Sequence, residues 1–208
     1  MDGVLVDSEE FICQAAVLMF KEKGLEVEPE DFIPFVGMGE DRYIGGVAEK
    51  YNLLIEIEEV KARTYEIYGN IIKGKLEPLE GVTDFIATCK QKSLKIAVAT
   101  SADEVKMKIN LAEIGIPLET FDAAVNGLMI KNKKPDPEIF ITAARLLGLK
   151  PEDCLVVEDA INGVEAGKRA GAKVLGVMTS FTKKQLKEAD WVSKNLSDYP
   201  PEIFLPIH

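Results

Sequence analysis

The spacing of apolar and polar positions divides the chain into two textures. From Glu9 to about Gly74 the period is helical. FICQAAVLMFKEKG (11–24), DRYIGGVAEKYN (41–52) and EIEEVKARTYEIYGNII (56–72) each repeat apolar residues three and four apart, the spacing of one helix face. The first ends on Gly24, a helix stop signal. Between the first two lies PFVGMGED (34–41), a glycine-containing loop, and no convincing strand occurs in this stretch.

From Leu79 onward the texture alternates. Helical spacing is predicted over GVTDFIATCKQKS (81–93), ADEVKMKINLAEIG (102–115), DPEIFITAARLLG (136–148), AINGVEAGKRAG (160–171) and KKQLKEA (183–189). Pro137 falls in the first turn of the third of these, where its missing N–H costs nothing. Between them lie short β-rich runs at LKIAVAT (94–100), FDAAVN (121–126), CLVVED (154–159) and AKVLGVMT (172–179), with DWVSKN (190–195) as a last edge strand. Strand and helix alternating over short connections predict βαβ units, a parallel sheet and helices on both faces. The expected fold class is α/β, a doubly wound parallel-sheet core with an inserted helical unit. The core is assigned to residues 1–8 plus 80–208 and the insertion to 9–79, with KGKLEPLEG (73–81) as the return hinge.

Composition narrows the function. At 208 residues with 47% apolar and 29% charged residues, the chain reads as globular and can bury a real core. A formal charge of −10, with no Lys/Arg stripe interleaved with aromatics, argues against a nucleic-acid surface. No apolar run reaches the ~18 residues of a membrane span, and the start lacks a signal-peptide pattern. A cytoplasmic monomer is expected, with an organellar stroma as the alternative if a transit peptide has been removed. Cys13, Cys89 and Cys154 are scattered and read as partly buried small apolar residues rather than disulfide or zinc ligands. His208 is the only histidine and ends the sequence, which leaves carboxylates, lysines, hydroxyls and backbone amides to carry chemistry.

Ligands of a doubly wound sheet sit beyond the carboxyl ends of its strands. That filter selects Thr100 and Ser101 after LKIAVAT, Lys134 in KNKKPDPEIF (131–140), and Glu158 and Asp159 after CLVVED. Two adjacent carboxylates behind a buried strand invite a hard cation such as Mg²⁺, or Asp159 simply caps the next helix. Thr100 and Ser101 offer a hydroxyl and an N–H to a phosphate, or cap a helix together with Asp103. Lys134 is a phosphate contact or an ordinary surface lysine beside Lys131 and Lys133. No P-loop and no G-x-G-x-x-G follows a strand.

The order of these pieces is more specific than any one of them. MDGVLVDSEE (1–10), AVATS (97–101), KKPDPEIF (133–140) and LVVEDAINGVEAGKRAG (155–171) resemble, in order, the four motifs of the haloacid dehalogenase superfamily, in its phosphatase and β-phosphoglucomutase-like branch. Residues 9–79 resemble that family's helical cap. The resemblance implies a Mg²⁺-dependent phosphomonoester hydrolase acting on a small phosphorylated metabolite through an aspartyl-phosphate. It implies Asp2 as the acid/base and a metal contact, Thr100, Ser101 and Lys134 as holders of the transferring oxygens, and Glu158 and Asp159 as the acidic metal pair.

The departure from the pattern is at the start. Met1 occupies the middle position of D-x-D, so the nucleophilic Asp belongs one residue before it, together with a strand central to the family's sheet. The expectation is therefore a truncated or shortened chain without meaningful phosphatase activity, with a non-catalytic regulatory domain as an alternative. A β-phosphoglucomutase-like mutase is a further alternative. It is disfavoured because Glu40 stands where the family's mutases carry a basic residue and Ile12 where they carry a histidine, while Arg42, displaced by two, is retained as a candidate substrate contact.

Overall fold

The computed structural model describes residues 1–36 and 38–205; Gly37 of the predicted loop, and His208, lie outside the described residues. The helical texture becomes three helices. α1 (Glu9–Glu22) opens on two glutamates and has Lys21 in its last turn, matching the helix dipole. It buries Ile12, Ala15, Ala16, Met19 and Phe20. α2 (Glu40–Lys50) and α3 (Ile57–Ile71) bury Tyr43, Ile44, Val47 and Val60, Tyr65, Tyr68 respectively. α1 packs chiefly on α3, and α2 also packs on α3. Phe20, Phe32 and Tyr43 join them in an aromatic chain with centroids 6.1 and 4.9 Å apart. The two connections to the rest of the chain run side by side, Leu79 N–H donating to the Leu5 carbonyl at 2.9 Å.

The alternating texture supplies α4 (Val82–Gln91), β1 (Ala97–Ala99), α5 (Glu104–Glu113), β2 (Ala123–Val125), α6 (Glu138–Leu147), β3 (Leu155–Glu158), α7 (Ile161–Arg169), β4 (Lys173–Val177) and β5 (Trp191–Ser193). Every named strand pair is parallel, as the βαβ reading requires. β1 pairs with β2 in the register Val98↔Ala124. β3 pairs with β4 (Val156↔Val174), and β4 with β5 (Gly176↔Val192). α6 lies on β1 and β2, and α7 on β3 and β4. The strands are shorter than the apolar runs that announce them. KKQLKEA (183–189) is not a helix but a run of turns pinned by Leu186, whose N–H donates to the Thr182 carbonyl. Seven residues with one buried apolar anchor do not offset the cost of helix nucleation.

The sheet comes in two pieces, β1–β2 and β3–β4–β5. Among the described residues, β1 and β3 each pair on one edge only. Between them runs a cleft of about 650 Å³ lined by both strands and by apolar side chains including Phe85, Phe140, Leu147 and Phe204, with Met1, Val4 and Leu5 against it.

Candidate active site

At the carboxyl ends of β1 and β3 lies a second, smaller cavity of about 190 Å³. Asp2, Thr100, Ser101, Lys134, Glu158 and Asp159 all line it. Of the residues selected from sequence only Arg42 stays out. Its guanidinium bonds Glu49 at 2.7 Å and stacks over Phe35 at 5.2 Å, on an exposed face of α2.

Asp2 is placed by a tight turn. Leu5 N–H returns to the Met1 carbonyl and Gly3 N–H to the Val6 carbonyl, each at 2.8 Å. Gly3 has φ +69°, and a Cβ there would sit 2.0 Å from Asp159 Oδ2. The position thus requires glycine twice over, for its backbone and for the approach of Asp159. The Asp2 carboxylate accepts from Ser8 Oγ and from Asn110 Nδ2 (3.2 Å), and pairs with Lys106 Nζ at 3.3 Å. Burial works against its ionisation, but the Lys106 ammonium, the Met1 ammonium and the Ser8 bond outweigh it and hold the carboxyl below its usual range.

Thr100 continues β1, its N–H donating to the Val125 carbonyl at 2.9 Å. Its Oγ1 accepts from Ala102 N–H at 3.1 Å, so the hydroxyl hydrogen remains free to turn toward the cavity. The N-cap of α5 is Asp103, but its carboxylate pairs with Lys61 at 3.0 Å instead of capping, which ties α3 to α5. Glu158, 5% exposed, forms a buried ion pair with Lys134 and accepts the N–H groups of Asp159 and Ala160 at 3.1 Å. Burial raises its pKa, but Lys134 more than offsets this and the net shift is downward. Gly163 leaves the room that Glu158 fills, since a Cβ there would lie 2.1 Å from its carboxyl carbon.

Asp159 does not cap α7. Its cap residue is Ala160, and Asp159 instead accepts from Ser180 Oγ. Burial, then the neighbouring Glu158 charge, push it up to about 6. Of the three lysines in 131–134, Lys131 is exposed and Lys133 donates to the Gly127 carbonyl at 2.5 Å, leaving Lys134 as the one in the cavity.

Sequence reading missed Lys106. It lies on the face of α5 that meets Asp2 and is 3% exposed, and opposing burial, the charges of Asp2, Glu9 and Glu40 raise its pKa. Ser8, Asn110 and Ser180, which fix the carboxylates, were also missed. Glu40 opens α2 and lines the same cavity at 8% exposure, with Lys106 Nζ 4.0 Å from one oxygen; burial pushes it up to about 7.

Among the described residues no group of three or more Asp, Glu, His or Cys side chains closes on one point as a metal cage. The donor set still suits a hard cation, being oxygen-only and adjacent, with the Asp159 charge poorly compensated.

The family model described as Haloacid dehalogenase-like hydrolase matches residues 1–177. The chain belongs to this family. Among other members, it is 40% identical over 195 residues to Protein SUPPRESSOR OF QUENCHING 1, chloroplastic, of Arabidopsis thaliana; the match covers 91% of this chain but 18% of that far longer protein. It is 31% identical to the Phosphorylated carbohydrates phosphatase of Thermotoga maritima, over 93% of this chain and 90% of that one. In structure it resembles CbbY from Rhodobacter sphaeroides, crystallised with phosphate, at TM-score 0.84 and 24% identity, covering 95% of this chain and 92% of the other. The haloacid dehalogenase-like hydrolase fold read from the four motifs therefore stands, helices on a parallel sheet included.

Proposed function

We propose that this chain is the body of a phosphomonoester hydrolase that acts on a small phosphorylated carbohydrate through an aspartyl-phosphate. The observation that carries the reading is the meeting of the buried Lys106 and the partly buried Lys134 with Asp2, Thr100, Glu158 and Asp159 around one cavity at the strand ends. Lys134 and the Thr100 hydroxyl hold phosphoryl oxygens, and Ser101 offers its N–H. Asp2 takes up a proton as the anionic substrate arrives, passes it to the leaving oxygen and then takes one from the attacking water, with Lys106, Ser8 and Asn110 fixing its carboxyl group. Glu158, Asp159 and Asp2 would hold Mg²⁺. That ion, when bound, neutralises charge between the phosphate and the carboxylates. Residues 9–79 form the cap in this reading, and the side-by-side connections at Leu5 and Leu79 suit a hinged unit.

The nucleophile in this reading is a carboxylate joined to the N-terminal side of Met1. Met1 lines both the polar cavity and the apolar cleft. A strand laid in the cleft, between β1 and β3, would end at the cavity and deliver that carboxylate there. The relative from Thermotoga supports a carbohydrate phosphate as substrate. The chloroplastic relative supports the organellar alternative over the cytoplasm. Mutase chemistry is less well supported, because Glu40 adds negative charge where a second phosphate would sit. The test compares the 208-residue chain with one extended by an apolar strand ending in Asp, using p-nitrophenyl phosphate and Mg²⁺. Turnover is expected from the extended chain alone. Robust turnover by the 208-residue chain, or none by a folded extended chain, overturns the mechanism.

A further inference from the structure

Glu40 is a buried carboxylate with nothing to do in the scheme above. Its Oε2 is buried and has no hydrogen-bond partner among the described residues, while its side chain lines the polar cavity at 9% exposure. An unpartnered buried carboxylate oxygen costs folding free energy unless a ligand completes it. Glu40 comes from α2, in the helical layer, whereas Thr100, Lys134 and Glu158 come from the strand ends. It therefore reaches the cavity from the helical layer, whereas the phosphate-holding groups reach it from the strand ends. Lys106 does not satisfy Oε2, since its nearest approach is to Oε1 at 4.0 Å, and it also serves Asp2 at 3.3 Å. Tyr65, the other buried polar group without a partner among the described residues, does not line the cavity.

We infer that Glu40 is a specificity-determining residue that accepts a hydrogen bond from a hydroxyl on the alcohol part of the substrate. This rests on reading the cavity as a phosphomonoester site, and it narrows the substrate to a hydroxylated monophosphate. A second phosphate is excluded on charge. Among the described residues, Asp2, Asp7, Glu9, Glu40, Glu158 and Asp159 outnumber the Met1 ammonium, Lys106 and Lys134 around the cavity, so a second phosphate would meet net negative charge.

The experiment is calorimetric binding to the 208-residue chain and its Glu40→Gln and Glu40→Lys variants. The probes are inorganic phosphate, methyl phosphate, glucose 6-phosphate, phosphoethanolamine and fructose 1,6-bisphosphate, all with Mg²⁺. The wild type is expected to prefer glucose 6-phosphate to methyl phosphate about tenfold, the worth of one hydrogen bond to a charged acceptor. Glu40→Gln should remove most of that preference while inorganic phosphate binds as before, and Glu40→Lys should gain affinity for the bisphosphate. A purely structural role would move all probes together. An unchanged preference in Glu40→Gln overturns the inference and leaves the phosphate site standing. Tighter binding of phosphoethanolamine than of glucose 6-phosphate overturns it in favour of an amine. Failure of the wild type to bind inorganic phosphate overturns the phosphate reading and this inference with it.

Discussion

Two cavities meet at Met1, and they differ in size and in the charge they carry. The cleft between β1 and β3 is large, at about 650 Å³, and walled by strand edges and apolar side chains. The cavity at the strand ends is small, at about 190 Å³, and gathers charged side chains, two of them paired with lysines, among apolar ones. The first is a deficit of packing, and the second a surplus of charge. Filling the cleft should change stability at every pH, whereas altering the cavity should change stability in a pH-dependent way and alter binding.

The strongest way to sharpen this contrast is to fill the cleft. Extending the chain by an apolar strand should raise unfolding free energy by more than about 5 kcal/mol in urea melts, since several side chains at roughly 1.5–3 kcal/mol each become buried. An extended chain no more stable than the original would show that the cleft is not a strand site. Next in size is Lys106→Met. It leaves Asp2 and Glu40 without their nearest cation, and about 3–5 kcal/mol of stability should be lost at pH 7. The loss should shrink as pH falls and the two carboxyls protonate, and a pH-independent loss would reduce Lys106 to a packing residue.

Asp159→Asn should do the reverse. Its carboxyl holds a proton at about 6 when folded against an ordinary 3.8, so its ionised form opposes folding. That penalty is absent below about pH 4, builds between the two values and is complete above about pH 6. The variant should therefore be roughly 1–3 kcal/mol more stable than the wild type at pH 8 and equal to it at pH 4. Saturating Mg²⁺ should stabilise the wild type and not the variant, and thermal melts with and without the ion check both points. The smallest effect belongs to Arg42→Ala. Its ion pair with Glu49 is half exposed, so stability should change by less than about 0.5 kcal/mol, and affinity for inorganic phosphate not at all. A tenfold loss of affinity would bring Arg42 back as a substrate contact.

The contrast also explains what the sequence made legible. Periodicity recorded the helices of residues 9–79 nearly to their ends, because each buries one face against another helix. Strand-end placement brought out Thr100, Glu158 and Asp159, because polar residues directly after an apolar run leave a local mark, while Lys134 was selected from the longer loop after β2. Lys106 left none. In ADEVKMKINLAEIG (102–115) it looks like any solvated helix lysine, and only the long-range approach of Asp2 and Glu40 buries it. Ser180 is equally silent, lying in a turn beyond β4, and acts on a carboxylate twenty-one positions away. The false helix at KKQLKEA failed for a related reason, since local spacing held but too little tertiary contact existed to fix it.

The bond from Leu79 N–H to the Leu5 carbonyl brings the two ends of the helical unit within 2.9 Å of each other. A segment whose ends already meet adds little loop-closure cost to its host and exerts little leverage on it. Such a joint makes the unit exchangeable. The helices could be lengthened, trimmed or replaced while the strand ends kept their spacing. On the function proposed above, the part that would face the leaving group could then diversify at a pace of its own, while the part that would face phosphorus stayed as it was.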